Sequence, residues 1–473
     1  MTECTPEQMS FASIGKREVV ANFDGGTITS DGGVLLLGEV DKRIDLFSRF
    51  AECFVDRRDA RFVEHPVRQL VSQRILGLAL GYEDLNDHDW LRRDPLLAAV
   101  VGEVDVTGVQ RRRPTDRGCA LAGKSTLNRL ELSTASTDRY KKILADPARM
   151  DDLFLSLFVE SFTEAPQSLV LDIDSTDDPV HGQQEGRFFH GYYDNYCYLP
   201  LYIFCGEQLL CARLRPADQD GAAGSEEELA RIVTRLRGVW PNVRIILRGD
   251  SGFCRDGLLA WCDCAGVDYI IGLPQNKRLI GAMTAQARAA KAEHLRTEQP
   301  ARRFRAFTYR TRKSWSKARW VIGKAEHLSG GANPRFVVTT LLDQTLDVPM
   351  GEQARQLYEQ EYCARGDMEN RIKEQQLYLF ADRTSSATMR ANQLRLYFSS
   401  FAYCLLQALR RLALEGTQFA KAQCHTLRDK LLKIGARVRV TVRKVWVSLA
   451  SCHPWQEAFR IAYAQLQNLP LRI

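Results

Sequence analysis

From Ser168 to Asp178 the chain reads SLVLDIDSTDD, and from Val243 to Phe253 it reads VRIILRGDSGF. Each is a short apolar run of β-forming residues that stops at carboxylates and a turn, the signature of a strand with a buried body. In the first run the two-residue period of a strand puts Asp172 and Asp174 on one face. Carboxylates at the carboxyl end of a core strand are costly unless something pairs them, and a divalent cation is one such partner. The second run places Asp250 at the same end of its own strand. If the two strands are parallel neighbours, Asp174 and Asp250 stand side by side.

Between these runs, CYLPLYIFCG and EQLLCARLRPAD read as two further strands of a meander. SEEELARIVTRLRG is a helix with Ser225 as its cap and carboxylates in its favoured first turn. Arg255 to Ala265 is a second helix and VDYIIGLP a fifth strand. Three antiparallel strands and then two parallel ones joined through helices predict an α/β fold with a ribonuclease-H-like core. Gln275 to Pro349 is a polar, basic, β-leaning stretch, and Met350 to Phe380 is strongly helical. Upstream, REVVANFDGG and TITSDGGVLLL make a short β start with Asp-Gly-Gly turns. Helical spacing follows over His65 to Leu80, with Pro66 in the first turn, and over Tyr82 to Leu97 and Leu127 to Leu157. The expected organisation is a mostly helical N-terminal region over 1–165 and the first part of the core over 166–274. A β-rich basic insertion domain over 275–349, a helical completion of the core over 350–415 and a basic C-terminal region over 416–473 follow.

With 473 residues, 45% hydrophobic and 26% charged, the chain has room for two or three cores and is neither disordered nor fibrous. Its net charge of +7 is unevenly spread. Arg410 to Ile473 holds twelve basic and three acidic residues, whereas Asp151 to Pro200 holds ten carboxylates and one cation, Arg187. Such segregation suggests a polyanion held by basic surfaces around an acidic centre. No apolar run is long enough to span a membrane, and the start MTECTPEQMSFASIGK has no signal-peptide core, so a protein that stays inside the cell is expected. The thirteen cysteines are scattered, and Cys262-x-Cys264 lacks the second pair that a zinc site needs; reduced thiols are expected.

A third carboxylate lies in EQEYCARGDMENRIKEQQ. Tyr362, Arg365, Glu369 and Lys373 follow at steps of three, four and four and share a helix face, while Asp367 points about 200° round from Glu369. Three carboxylates without His or Cys suit two Mg²⁺ or Mn²⁺ ions, which activate a water or a 3′-hydroxyl and stabilise the leaving oxygen of a phosphoryl displacement. Each carboxylate also has a plainer use: Asp174 as a turn cap, Asp250 as a loop residue beside Gly249, Glu369 as a salt bridge to Arg365 and Lys373.

Taken together, LDIDSTDDPVHGQQ, LRGDSGF and Tyr362-x-x-Arg365-x-x-x-Glu369 resemble the three catalytic motifs of bacterial DDE insertion-sequence transposases. Phrases such as GYYDNYCYLPLYIFCG and ANPRFVVTTL resemble insertion-sequence family 1380, over about residues 20 to 450. The resemblance implies Asp174, Asp250 and Glu369 as catalytic metal ligands, with Tyr362 and Arg365 as phosphate contacts. The choice of Asp174 over Asp172 rests on the Asp-Ser-Thr context. Relatives place a Lys where this chain has Gln376, and Lys373 sits one turn earlier as a candidate substitute. The function implied is a transposase of the cytoplasm and nucleoid. It binds the terminal inverted repeats of a mobile element on double-stranded DNA, hydrolyses the ends and joins the 3′-hydroxyls to target DNA, acting as a dimer on DNA because two ends must be paired. The rivals are a metal-dependent ribonuclease-H-like nuclease without joining, and an inactive DNA-binding derivative.

Basic candidates for DNA contact follow. Arg302, Arg303, Arg305, Arg310, Arg312, Lys313, Lys317 and Arg319 are interleaved with Phe304, Phe307, Tyr309, Trp315 and Trp320. That mixture suits a distorted DNA end through phosphate contact and base stacking, or else a hairpin whose aromatics pack inward. Lys277 and Arg278 follow the fifth strand. In the tail, Arg437, Arg439 and Arg443 alternate with valines on a strand that either grips DNA or keeps a sheet edge soluble. Arg111 to Arg113 and the helix near Ser125 are further contributors. GCALAGKS, from Gly118 to Ser125, matches a phosphate loop in spacing but follows VQRRRPTDR rather than a buried strand, so Ser125 reads as a helix cap.

Overall fold

In the computed structural model, SLVLDIDS forms the strand Ser168–Ser175 (β1), third from one edge of a nine-stranded mixed sheet. The remaining strands are Leu201–Cys205 (β2), Gln208–Arg213 (β3), Arg244–Gly249 (β4), Asp268–Leu273 (β5), Ala301–Tyr309 (β6), Arg319–Leu328 (β7), Gly331–Ala332 (β8) and Arg335–Thr339 (β9). Their order is β3-β2-β1-β4-β5-β9-β7-β6, with β8 on β7. β3, β2 and β1 are antiparallel neighbours, and β1, β4 and β5 are parallel. Expected as an insertion domain, 275–349 supplies β6 to β9, and β9 joins β5 antiparallel so that the same sheet continues. Val321, Ile322, Val337 and Val338 are fully buried there, as β-branched residues covered on both faces should be.

The structure describes residues 8–472; the first seven residues, Cys4 among them, lie outside that range. One compact unit is Asp146–Ser400, and the other joins Met1–Ala145 to Phe401–Ile473. In the first, the helices Ser225–Val239 and Asp256–Ala265 pack Leu229, Ile232, Leu236, Leu258 and Leu259 against Leu171, Ile173, Ile245 and Leu247 of the sheet. The opposite face packs Ile270, Ile322 and Val337 against Ala354 and Tyr358 of the segment from Met350. Side chains alternate along a strand, so Asp172 and Asp174 share the face opposite Leu171 and Ile173.

Several local expectations need correction. Ser225 is not the cap: Gly224, left-handed at φ 71°, precedes the helix, and the Ser225 hydroxyl is buried without a partner among the described residues. Pro66 and Gly123, rather than residues inside the first turn or Ser125, precede the helices Val67–Ala79 and Lys124–Glu131. Leu127 to Leu157 is not one helix. It breaks into Lys124–Glu131, the strand Ile143–Ala145 and the helix Pro147–Val159, which Asp146 caps with Pro147 in its first turn. The basic tail strand Ala436–Val440 is not an edge: it lies between Val445–Leu449 and Ile28–Thr29. In the phosphate-loop lookalike, Leu121, Ala122 and Lys124 donate their amides to the Arg92 carbonyl, the Gln73 side chain and the Asp89 carboxylate, which leaves those donors engaged. The described cysteines are free thiols. No described helix is long and apolar enough to cross a membrane.

Candidate active site

Parallel register sets Arg248 of β4 opposite Asp172 of β1 and Gly249 opposite Ile173, so Asp174 and Asp250 leave neighbouring strand ends together. Gly249 permits the close approach: a Cβ there would lie 3.0 Å from Cγ2 of Ile173. Asp250 turns the chain by accepting the Gly252 amide at 2.8 Å.

The two aspartates of β1 meet different fates. Asp172 is clamped by the Nε and Nη2 of Arg248, the latter at 2.8 Å, and Arg248 also donates to the Glu361 carbonyl. Its side chain is 3% exposed. Asp174 accepts the Ser175 amide at 2.9 Å and one Arg365 nitrogen at 3.1 Å. The other terminal nitrogen of Arg365 donates to Glu369 at 2.7 Å, so one guanidinium spans the two carboxylates. Burial pushes Asp174 up to about 7; Arg365 opposes this, and Asp250 and Glu369 reinforce it. Burial works against the charge on Arg365, and Asp174 and then Glu369 outweigh it. Glu369 is the open member, its side chain 44% exposed.

The segment carrying Glu369 is not a uniform helix. A π-helical Leu357–Tyr362 and a tight turn Cys363–Arg365 precede the α-helix Gly366–Lys373, and a second π-helical turn, Glu374–Tyr378, follows. Such distortions of helical register recur at functional sites, where they re-aim side chains. Here Arg365 reaches Asp174 from the same turn that presents Glu369. Lys373 is exposed and makes no ion pair among the described residues. Gln376 donates to the Asp177 carbonyl at 3.1 Å and to Asp178 at 2.8 Å, so its amide serves the turn after β1.

Two residues near these carboxylates carry no chemical signal in the sequence. Gly272 of β5 is one: a Cβ there would sit 2.7 Å from the Tyr362 hydroxyl, 2.8 Å from the Ser251 amide and 3.1 Å from the Asp250 carbonyl carbon. Only glycine leaves space for both the tyrosine and the Asp250 turn. The other is Tyr193, whose hydroxyl is pushed upward by burial and by Asp177, Asp174 and Asp250. It stands beside the acidic site with its ring against His190 and the exposed Tyr192. Its separation in sequence from Asp174 and Asp250 hides the contact.

Among the described residues no three His, Cys, Asp or Glu side chains are gathered closely enough to hold a metal ion together. The donors nonetheless suit a hard cation: they are all oxygen, two sit on adjacent strand ends, and the one cation between Asp174 and Glu369 is a side chain that a competing ion could displace.

The expected DNA contacts are mostly engaged elsewhere. Tyr309 and Trp315 are buried against each other, and Phe307 packs on the same core; Phe304 and Trp320 pack on the other face. Arg302 pairs with Glu326, Arg303 with Glu293, and Lys317 with Asp263. Arg319 is almost fully buried against Asp263 and Asp256. Arg305 donates to the Ala282 carbonyl, Arg310 to that of Trp315, and Arg278 lies over the Tyr309 ring while donating to the Arg310 carbonyl. Lys277, Arg312 and Lys313 are exposed and without ion pairs among the described residues. In the other unit, Arg437, Arg439 and Arg443 are exposed, with Arg439 over the Trp446 ring.

Comparison with curated proteins finds no match. The family described as transposase DDE domain group 1 does match, over residues 11–471, and the chain belongs to it.

Proposed function

We propose that the chain is a transposase that cuts DNA at the terminal inverted repeats of its element and joins the freed 3′-hydroxyls to target DNA. The observation that carries this reading is the convergence of Asp174 and Asp250, on adjacent parallel strand ends, with Glu369 one arginine away. The strand order, three antiparallel and then two parallel, favours a ribonuclease-H-like core. Asp174, Asp250 and Glu369 are the proposed ligands of two Mg²⁺ or Mn²⁺ ions, which when bound supply an activated oxygen nucleophile and stabilise the leaving oxygen.

The protein's own groups prepare that chemistry. Arg365 keeps Asp174 and Glu369 from repelling each other and, once released from them, is a forked donor for a DNA phosphate. The Tyr362 hydroxyl, seated over Gly272 beside Asp250, orients the same phosphate. Lys373, Lys277, Arg312 and Lys313 are exposed cations for the DNA backbone, and Arg437, Arg439 and Arg443 offer a second basic surface. Two copies on paired ends, in the bacterial cytoplasm at the nucleoid, complete the reading.

The test uses duplexes copied from the DNA that flanks the gene, a plasmid target and Mg²⁺. Joined products are expected, and they disappear when the metal is chelated. Cutting without joining would replace the transposase reading with that of a nuclease.

A further inference from the structure

The mixture of cations and aromatic rings sought between Arg302 and Trp320 exists elsewhere in an open form. A cleft of about 420 Å³ in the N-terminal unit is lined by Arg58, Phe62, Arg129, Arg139, Tyr140 and Lys142, among others. It is built where the strand Phe54–Asp56 pairs with Ile143–Ala145, which brings the loops on either side together. Phe62 and Tyr140 are 64% and 65% exposed, so both rings are open to a bound group. Both rings already carry cations. Arg112 and Arg61 lie 5.3 and 5.7 Å from the centre of the Phe62 ring, and Arg139 lies 5.4 Å from that of Tyr140.

The charges are largely unspent. Arg58 is held by Asp56, at 2.7 Å, but Arg129, Arg139 and Lys142 make no ion pair among the described residues. The one acidic side chain in the lining, Asp59, is taken by Arg61 at 2.7 Å. A concave surface with three available cations and two exposed rings matches one chemistry: a phosphate beside a flat, unpaired base. Paired duplex offers phosphates but hides its base faces, so the rings would gain nothing from it.

We propose that this cleft binds an unpaired nucleotide of the DNA, extruded from the duplex or lying at a strand end. Arg129, Arg139 and Lys142 hold its phosphate, and Phe62 and Tyr140 stack its base. The inference rests on the reading of the chain as a protein that handles DNA ends, yet its readout is separate from cutting.

The experiment is a fluorescence titration of the full chain with a duplex carrying one extrahelical 2-aminopurine, against the fully paired duplex of the same sequence. Wild type is expected to prefer the extrahelical duplex by roughly tenfold, with a fluorescence change that reports stacking. Phe62→Ala and Tyr140→Ala should each remove most of that preference while leaving affinity for the paired duplex intact. Arg129→Gln should weaken both duplexes alike. Asp250→Ala should keep the preference, so a failure of cutting and a failure of this site are told apart. Equal affinity of wild type for the two duplexes would overturn the proposal. So would a preference that survives both ring substitutions.

Discussion

Asp172 and Asp174 stand two residues apart on one strand face, and each meets an arginine, yet the two regions behave as opposites. At Asp172 the guanidinium is spent on a single buried carboxylate and a backbone carbonyl, and the charges are closed off from water. At Asp174 one guanidinium is divided between two carboxylates with a third, Asp250, next to them, and Glu369 opens to solvent. A satisfied buried pair fixes a fold; a shared one is an electrostatic conflict that a metal ion would relieve. The difference is broken most severely at the open end. Asp250→Ala, Glu369→Ala or Asp174→Asn should reduce cutting by a factor on the order of a thousand, because several kcal/mol of transition-state stabilisation depends on the proposed metal ligands. Glu369→Ala and Asp174→Asn should unfold at the wild-type temperature or above it, since each removes like charge, whereas Asp250→Ala also loses the bond from the Gly252 amide and should unfold somewhat earlier. Cutting retained by any of them would sink the three-carboxylate assignment.

At the closed end the outcome reverses. Asp172→Asn leaves Arg248 as an uncompensated buried charge, and breaking such a pair costs about 3–5 kcal/mol. Urea unfolding should register the loss in full. The fraction that remains folded should cut normally per active molecule, so titration of folded protein against rate separates the two aspartates. If Asp172→Asn instead abolishes cutting at unchanged stability, the roles of the two residues are exchanged.

How much of this was legible beforehand follows from the same contrast. The period of two placed Asp172 and Asp174 on one face, and the ends of two apolar runs placed Asp174 and Asp250 at strand termini. Neither pattern says which carboxylate an arginine from another strand will claim. The partner of Asp172 is set by the register of β1 on β4, and that of Asp174 by a helical segment whose pitch changes three times between Leu357 and Tyr378. The basic stretch from Arg302 was legible as β but not as part of the main sheet. Once β9 joins β5, its neighbours gain a second covered face, and the aromatics turn inward to fill it. The cleft near Phe62 was illegible for the opposite reason: its residues are some 80 positions apart and meet only through two three-residue strands.

A subtler way to disturb the open end is to touch nothing charged. Gly272→Ala introduces a methyl within 2.8 Å of both the Tyr362 hydroxyl and the Ser251 amide. Relief requires the tyrosine to swing away or the Asp250 turn to shift, at a cost of about 1–3 kcal/mol. Activity is expected to fall roughly tenfold to a hundredfold, as catalytic groups displaced by a fraction of an ångström generally do. Pairing it with Tyr362→Phe, which removes the crowded oxygen, should restore part of the stability. If the double variant is no more stable than Gly272→Ala alone, the clash lies with the Ser251 backbone rather than with the tyrosine.

Asp178 extends the comparison to a carboxylate that pairs with no arginine among the described residues. It is fully buried, its Oδ1 accepts from Gln376 at 2.8 Å, and its Oδ2 has no partner among the described residues. Burial pushes it up to about 8, far above its ordinary value of 3.8, so it is a neutral acid in the folded protein at pH 7. An acid whose folded value lies above its unfolded one stabilises the fold while protonated in both states. That contribution drains away as the pH rises, because the unfolded chain releases the proton first. Between about pH 4 and 8 the wild-type protein should therefore lose up to about 1.4 kcal/mol per pH unit through this residue, and nothing further above pH 8. Asp178→Asn keeps the acceptor for Gln376 and has no proton to lose. Unfolding measured at pH 5, 6.5 and 8 should show the variant gaining on wild type at each step. A gap that stays constant across the three would mean that Asp178 is ionised in the fold, and that a cation other than Arg248 or Arg365 reaches it.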